Sequence, residues 1–133
     1  MIVVDTNVVA YFIIPGAHTQ AAQKLRGRDS NWWAPALLRH EWLNVITMEV
    51  SKGRFERDAA AKLYRRGLSM VQIDESEPDP IRIVNLHASS GCSSYDCQFV
   101  ALAQELRVQL VTLDGAVIKA FPSDVESLEE AAK

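Results

Sequence analysis

The stretch IVVDTNVVAYFII, residues 2–14, joins two kinds of local structure around one acidic residue. Its first part, Ile2–Asp5, is a short apolar run that ends in a carboxylate, and such a run is typical of a buried strand. Its second part, Asn7–Ile14, stops at Pro15 and Gly16, so it predicts a helix that ends at a turn. A buried strand that leads directly into a helix indicates an α/β domain.

The rest of the chain repeats this alternation of short apolar runs with longer helical patterns. We predict further strands at 31–34, 68–74, 108–114 and 124–127, and further helices at 18–26, 35–51, 55–66, 80–89, 93–106, 115–120 and 128–133. Pro35 is expected in the first turn of its helix, and Gly27 and Gly67 are expected to end theirs. The order predicts a parallel sheet with helices on both faces, in one domain over residues 1–133.

Composition and charge exclude several classes of protein. No apolar run is long enough to span a membrane, and the first residues lack the basic start of a secretory signal. Cys92 and Cys97 are too few for a disulfide framework and do not form a zinc motif, so we expect reduced thiols in a cytoplasmic protein. There is no phosphate-binding glycine loop and no nucleophile elbow, and His40-Glu41 lacks the second histidine of a zinc-protease helix.

The net charge of −3, from 14 basic and 17 acidic residues, argues at first sight against nucleic acid as a partner. If four of the acids formed a metal site, the remaining balance would be 14 minus 13, or +1. Bound cations would also invert the local field. The overall charge therefore does not decide the partner.

Four acidic residues stand beside predicted apolar surfaces. Asp5 and Asp114 each end an apolar strand, and the carboxyl ends of parallel strands share one edge of a sheet. Glu41 lies within the apolar spacing of its helix. Asp96 lies in a first helical turn beside an apolar stripe that includes Tyr95. Four such carboxylates repel one another unless a cation neutralises them, and hard oxygen ligands suit Mg²⁺ or Mn²⁺.

Each acid also has a plain structural interpretation. Asp5 can cap the helix that follows it, and Asp114 with Gly115 can form a simple turn. Asp96 can complement the dipole of its helix, and Glu41 can face solvent. All four of these interpretations must hold together for the site to be absent.

Four segments resemble, in order and spacing, the acidic motifs of the PIN-domain ribonucleases. They are VVDTNVVAY (3–11), RHEWLNV (39–45), SSYDCQFVALA (93–103) and LVTLDGAVIKAF (110–121). The resemblance covers nearly the whole chain, and the size and element order are similar to those of the toxins of VapBC-type toxin–antitoxin pairs. It implies a PIN-like three-layer α/β/α sandwich around a short, mostly parallel sheet.

Carried over position by position, the resemblance assigns the catalytic acids to Asp5, Glu41, Asp96 and Asp114. It implies that Asp5, Asp96 and Asp114 bind Mg²⁺ (or Mn²⁺), with support from Thr6, Asn7 and Thr112. Some relatives carry a further acid just after the fourth, whereas this chain has Gly115-Ala116-Val117. A second metal ion would therefore be held more weakly or be completed by substrate phosphate.

The implied activity is metal-dependent endoribonuclease cleavage that leaves a 5′-phosphate and a 3′-hydroxyl, with tRNA among the candidate substrates. The implied partners are a small antitoxin and a second copy of the chain. Two alternatives stay open: a PIN ribonuclease of RNA processing, and a PIN-like module that binds RNA or protein without cleavage. Basic clusters at 24–28, 52–57 and 62–66 are either phosphate contacts or solvated faces. The aromatic residues that can serve the core or an interface are Trp32, Trp33, Trp42 and Phe55.

Overall fold

The computed structural model describes all residues, 1–133, around a five-stranded sheet in which every strand pair is parallel. The strands are β1 (Ile2–Val4), β2 (Trp32–Pro35), β3 (Gln72–Asp74), β4 (Leu110–Thr112) and β5 (Val125–Ser127). The helices are α1 (Thr6–Ile13), α2 (Thr19–Arg28), α3 (Leu37–Ser51), α4 (Ala60–Ser69), α5 (Pro80–Ser90), α6 (Ser94–Leu106), α7 (Gly115–Ala120) and α8 (Leu128–Ala131), with a 3₁₀ turn at Arg57–Ala59. The predicted α/β class is confirmed, and the sheet is wholly parallel.

The strand order β3-β2-β1-β4-β5 places β1 in the centre of the sheet. The chain first builds outward through β2 and β3, and then returns to the other side of β1 with β4 and β5. This reversal creates a switch point between β1 and β4, where Val3 pairs with Leu110 and Val4 pairs with Val111. In open parallel sheets, ligands bind outside the carboxyl ends of the strands at such a point.

Helices cover both faces of the sheet and bury a mainly aliphatic core. Helix α6 packs on β1, β2 and β4 with α5 beside it, while α1 and α3 pack against each other and against α2 and α4. Of the four aromatic residues left open between core and interface, Trp32 and Trp42 are fully buried, whereas Trp33 and Phe55 are half-buried. No helix is both long and apolar enough to cross a bilayer.

Several predicted element ends were wrong. Pro35 is the last residue of β2, where it pairs with Asp74, and α3 begins only at Leu37. A proline has the φ angle of an extended strand end as well as that of a first helical turn, so the sequence alone did not distinguish them. The predicted strand at 68–74 is shortened to Gln72–Asp74, because α4 runs on to Ser69.

The two glycines that were expected to end helices lie inside them. Gly27 precedes the last residue of α2, and Gly67 lies within α4. A Cβ atom at Gly67 would overlap the indole of Trp42. The indole Nε1 donates to the carbonyl oxygens of Leu63 and Tyr64, at 3.2 Å each. Gly67 therefore allows α3 and α4 to approach closely, and it does not end a helix.

Candidate active site

Asp5 lies directly after β1, at the switch point of the sheet. Its Oδ1 accepts a hydrogen bond from the backbone N–H of Thr6 at 2.7 Å, so it does cap α1. Its Oδ2 accepts from the hydroxyl of Thr112 in β4, also at 2.7 Å. Capping therefore does not exclude a place in a site, because the second oxygen of the same carboxylate makes a contact outside the helix.

Glu41 reaches the same place from α3. Its side chain is half-buried, and its Oε1 accepts from the hydroxyl of the buried Thr6 at 2.7 Å. The interpretation of Glu41 as a solvent-facing residue is thus wrong. Thr6 connects the two acids, since its backbone N–H donates to Asp5 and its hydroxyl donates to Glu41.

Asp114 and Asp96 complete the set from the starts of α7 and α6. Asp114 caps α7 by accepting from the backbone N–H of Ala116 at 3.0 Å, and its own N–H donates to the hydroxyl of Thr112 at 3.0 Å. Asp96 lies in the first turn of α6, and its N–H donates to Oγ of Ser93. Both carboxylates are half-buried.

Burial and the charges of neighbouring acids affect Asp5 and Glu41. Burial raises the pKa of Asp5 above its ordinary 3.8, against the hydrogen bonds from Thr112 and Thr6, and the charges of Asp96 and Asp114 raise it further. Burial likewise raises the pKa of Glu41, and the charges of Asp5 and Asp96 add to the effect. The ion pairs of the molecule involve other acids, namely Asp29, Glu49, Glu75 and Glu130. The cluster therefore carries negative charge without a cationic side chain to balance it.

The oxygen atoms of this cluster suit a hard divalent cation that keeps part of its water shell. No three His, Cys, Asp or Glu side chains are arranged to hold one ion among themselves. Mg²⁺ usually keeps several waters and is bound by one or two carboxylates together with substrate phosphates. Next to Asp5, the side-chain oxygen of Asn7 is buried without a hydrogen-bond donor. These oxygens fit an ion that brings water and phosphate with it, and they do not form a complete protein cage.

A cleft of about 900 Å³ opens beside Asp5, Thr6, Asn7 and Glu41. Its other lining residues include Tyr11, His18, Asn44, Glu49, Arg54 and Tyr95. The sequence placed Tyr95 in the apolar stripe of α6, but 58% of this residue is exposed. Tyr95 immediately precedes Asp96 in the sequence. This position beside a predicted site residue could have indicated that Tyr95 lies in the cleft.

Arginines from two of the predicted basic clusters lie in different environments. Arg54 lines the cleft, where its Nη1 contacts both carboxylate oxygens of the buried Glu49 at 3.1 and 3.2 Å. Arg26 instead lies over the ring of Trp32, with 4.8 Å from Cζ to the ring centroid, and donates to the carbonyl oxygen of Met70. Arg26 is thus occupied by contacts within the fold.

The chain is similar to known proteins over almost its entire length. It is 23% identical over 128 residues to ribonuclease VapC3 of Pyrobaculum aerophilum, which covers 92% of this chain and 95% of the relative. The crystal structure of PAE2754 from Pyrobaculum aerophilum superposes with a TM-score of 0.79 at 18% identity, over 98% of this chain and 91% of that one. A chain of a toxin–antitoxin complex from Klebsiella pneumoniae superposes with a TM-score of 0.66 at 21% identity, over 96% and 98%.

A match to a protein-family model identifies the family of this chain. The model of the PIN domain matches residues 2–121, which contain all four acids and both threonines that connect them. The strand order and the position of the acids at the switch point agree with this match. The chain therefore belongs to the PIN domain family.

Proposed function

We propose that this protein is a divalent-metal-dependent endoribonuclease of the VapC toxin type, acting at the carboxyl edge of its sheet. One observation carries the proposal: Asp5, Glu41, Asp96 and Asp114 meet there with no basic side chain to pair with them. Burying such charge is costly, and a purely structural site has no use for it. The similarity to a protein named ribonuclease VapC3 supports the same activity.

Metal ions, when bound at such a site, lower the pKa of an attacking water and stabilise charge that develops on the phosphate and the leaving oxygen. Asp5, Asp96 and Asp114 are the proposed ligands of Mg²⁺ or Mn²⁺, directly or through water. Thr112 and Thr6 fix the orientation of the Asp5 carboxylate by their hydrogen bonds to its two oxygens. The site is thereby held in place before substrate arrives.

Glu41 is the proposed residue that orients the attacking water. Thr6 occupies its Oε1, which leaves Oε2 available to accept a hydrogen bond. Burial is the largest cause that raises the pKa of Glu41 in the metal-free protein, and a cation that neutralises Asp5 and Asp96 leaves this burial in place. In-line attack then leaves a 5′-phosphate and a 3′-hydroxyl, as the family resemblance implies.

The proposed partners follow from the relatives. The similarity to a chain of a toxin–antitoxin complex supports a small antitoxin as the protein partner. Exposed apolar side chains on two helices, Leu43 and Met48 of α3 and Ile81 and Val84 of α5, support further protein contacts, including a homodimer. Two reduced, buried cysteines and an RNA substrate agree with a cytoplasmic protein.

The test is an RNA cleavage assay with the purified protein. Structured RNAs, including tRNA, are incubated with Mg²⁺, with Mn²⁺ and with EDTA, and the ends of the products are mapped. The proposal predicts cleavage only with metal, and products with 5′-phosphate and 3′-hydroxyl ends. Cleavage that persists in EDTA would contradict it. RNA binding without cleavage, by protein free of any co-purified partner, would instead support the non-cleaving PIN-like module.

A further inference from the structure

The cleft beside the acids is larger than a metal site requires. Most of its lining residues belong to helices α1 and α3 and to the segment 15–18. Its volume of about 900 Å³ lies within the range of pockets that bury small organic ligands. Since Asp5 and Glu41 line the same cleft, an occupant that fills it also lies against the proposed reaction centre.

Four rings line this cleft, those of Tyr11, His18, His40 and Tyr95. Tyr11 and His18 form a ring pair on one wall, with centroids 4.7 Å apart and planes inclined at 52°. Tyr95 comes from α6, where it is 58% exposed and immediately precedes Asp96. Tyr11 lies on α1 and lines the same cleft as Asp5 and Glu41. Packing alone explains the exposed Tyr95 ring poorly, because most of this side chain lies outside the core.

The charge of the cleft limits what can hold RNA there. Arg54 is the only lysine or arginine among the lining residues, and it is already paired with Glu49. The lining otherwise includes the acids Asp5 and Glu41. Contacts between basic side chains and phosphates therefore supply little affinity in this cleft, so an RNA strand needs other contacts.

We propose that the ring cleft, defined by Tyr11, His18 and Tyr95, is a nucleobase-stacking subsite for an unpaired nucleotide next to the cleaved phosphate. Unstacked RNA bases stack on tyrosine and histidine rings, and every base presents a flat face for this contact. A base inside a duplex presents only its edges, so the subsite selects single-stranded segments. This inference rests on the ribonuclease function proposed above.

The test measures binding and turnover separately. Binding of a fluorescently labelled single-stranded RNA is followed by anisotropy in an Asp96→Asn background, and KM and kcat are measured in protein with Asp96 intact. In both, Tyr95→Ala is compared with Tyr95→Phe, which keeps the ring. Gln72→Ala on the edge strand β3 is the control, because Gln72 is exposed and lies outside the cleft.

We expect Tyr95→Ala to raise the Kd and the KM about 5- to 150-fold, which corresponds to the loss of one base–ring stack. Tyr95→Phe and Gln72→Ala should stay within about twofold of their parents, well below the effect of a lost stack. The same sequence in a duplex should bind more weakly than the single strand. The salt dependence of single-strand binding should be shallow, because few phosphates are neutralised by basic side chains.

The outcomes separate this inference from the proposed function. Binding that depends on the Tyr95 ring without any cleavage would overturn the ribonuclease, and it would leave the base-stacking contact standing as part of an RNA-binding site. Cleavage with an unchanged KM in Tyr95→Ala, or equal affinity for duplex and single strand, would overturn the subsite alone. Unchanged RNA affinity together with loss of a co-purifying protein would assign the cleft to a protein partner and overturn the subsite. Absence of both RNA binding and cleavage would overturn both proposals.

Discussion

The hydroxyl of Thr112 donates to Oδ2 of Asp5 at 2.7 Å, although 107 positions separate the two residues in the chain. The contact exists because β4 pairs directly with β1, with Val4 opposite Val111. The same hydroxyl oxygen accepts the backbone N–H of Asp114. One buried threonine therefore links the first and fourth acids of the motif, and the register of two strands sets their spacing.

Replacing Thr112 by valine tests this link. Thr112→Val keeps the shape of the side chain but removes the donor to a largely buried carboxylate, which should cost about 1–3 kcal/mol of unfolding free energy at pH 7. The cost should shrink in acid, where Asp5 is protonated and needs no donor to its charge. Urea unfolding at pH 7 and pH 4 measures both effects. Thr112→Ser retains the hydroxyl and should recover most of the loss at pH 7. Equal losses at the two pH values would contradict the account.

Glu41→Gln should stabilise the metal-free protein at neutral pH. Burial raises the pKa of Glu41 in the folded state, so the folded protein holds this proton more tightly than the unfolded chain does. The contribution of Glu41 to stability therefore falls as the pH rises from its ordinary 4.5 through the raised value. Glutamine does not ionise, so the variant does not lose stability as the pH rises. Its side-chain oxygen can still accept the hydrogen bond from the hydroxyl of Thr6. Its advantage, measured by thermal unfolding without metal, should be present at pH 7 and absent below pH 4. An advantage that is equal at both pH values would refute this explanation.

Two glycine substitutions should have opposite effects. Gly67→Ala places a methyl group against the indole of Trp42 and should destabilise the fold by about 3 kcal/mol or more. Gly27→Ala meets nothing within 4 Å and lies inside α2, so it should stabilise by about 0.5–1 kcal/mol. Denaturant midpoints compare the two variants with wild type. A Gly67→Ala protein as stable as wild type would show that the close approach of α3 and α4 is not needed.

Divalent metal should raise the melting temperature of the wild-type protein at neutral pH. A cation relieves the repulsion among the four carboxylates and binds the folded state in preference to the unfolded chain. At 100 times its Kd, such a ligand adds about 2.7 kcal/mol to the unfolding free energy. The shift with Mn²⁺ should exceed that of NaCl at equal ionic strength and should diminish in Asp5→Asn. An equal shift with both salts would indicate screening rather than a site.

Local sequence patterns were sufficient for the fold class and for the approximate positions of most helices and strands. They also placed Asp5 and Asp114 at one edge, because strand polarity alone determines that edge. They did not predict the role of Gly67, because its reason lies in Trp42 on another helix. They misplaced Tyr95 because helical periodicity marks a stripe without showing where the core ends. Nor did they show that Arg26 is held by Trp32 and Met70, contacts that only the tertiary structure creates.

The most direct test of the central claim is RNA cleavage by the Asp96→Asn variant. Asparagine keeps the shape of the side chain and removes one of the four charges. Glu105→Gln is the matched control, because Glu105 is an exposed acid on the same helix, outside the cluster. We predict that wild type and Glu105→Gln cleave structured RNA in Mg²⁺ or Mn²⁺, that EDTA stops both, and that Asp96→Asn is inactive while remaining folded. Equal cleavage by Asp96→Asn and wild type would contradict the claim that these four acids form the reaction centre.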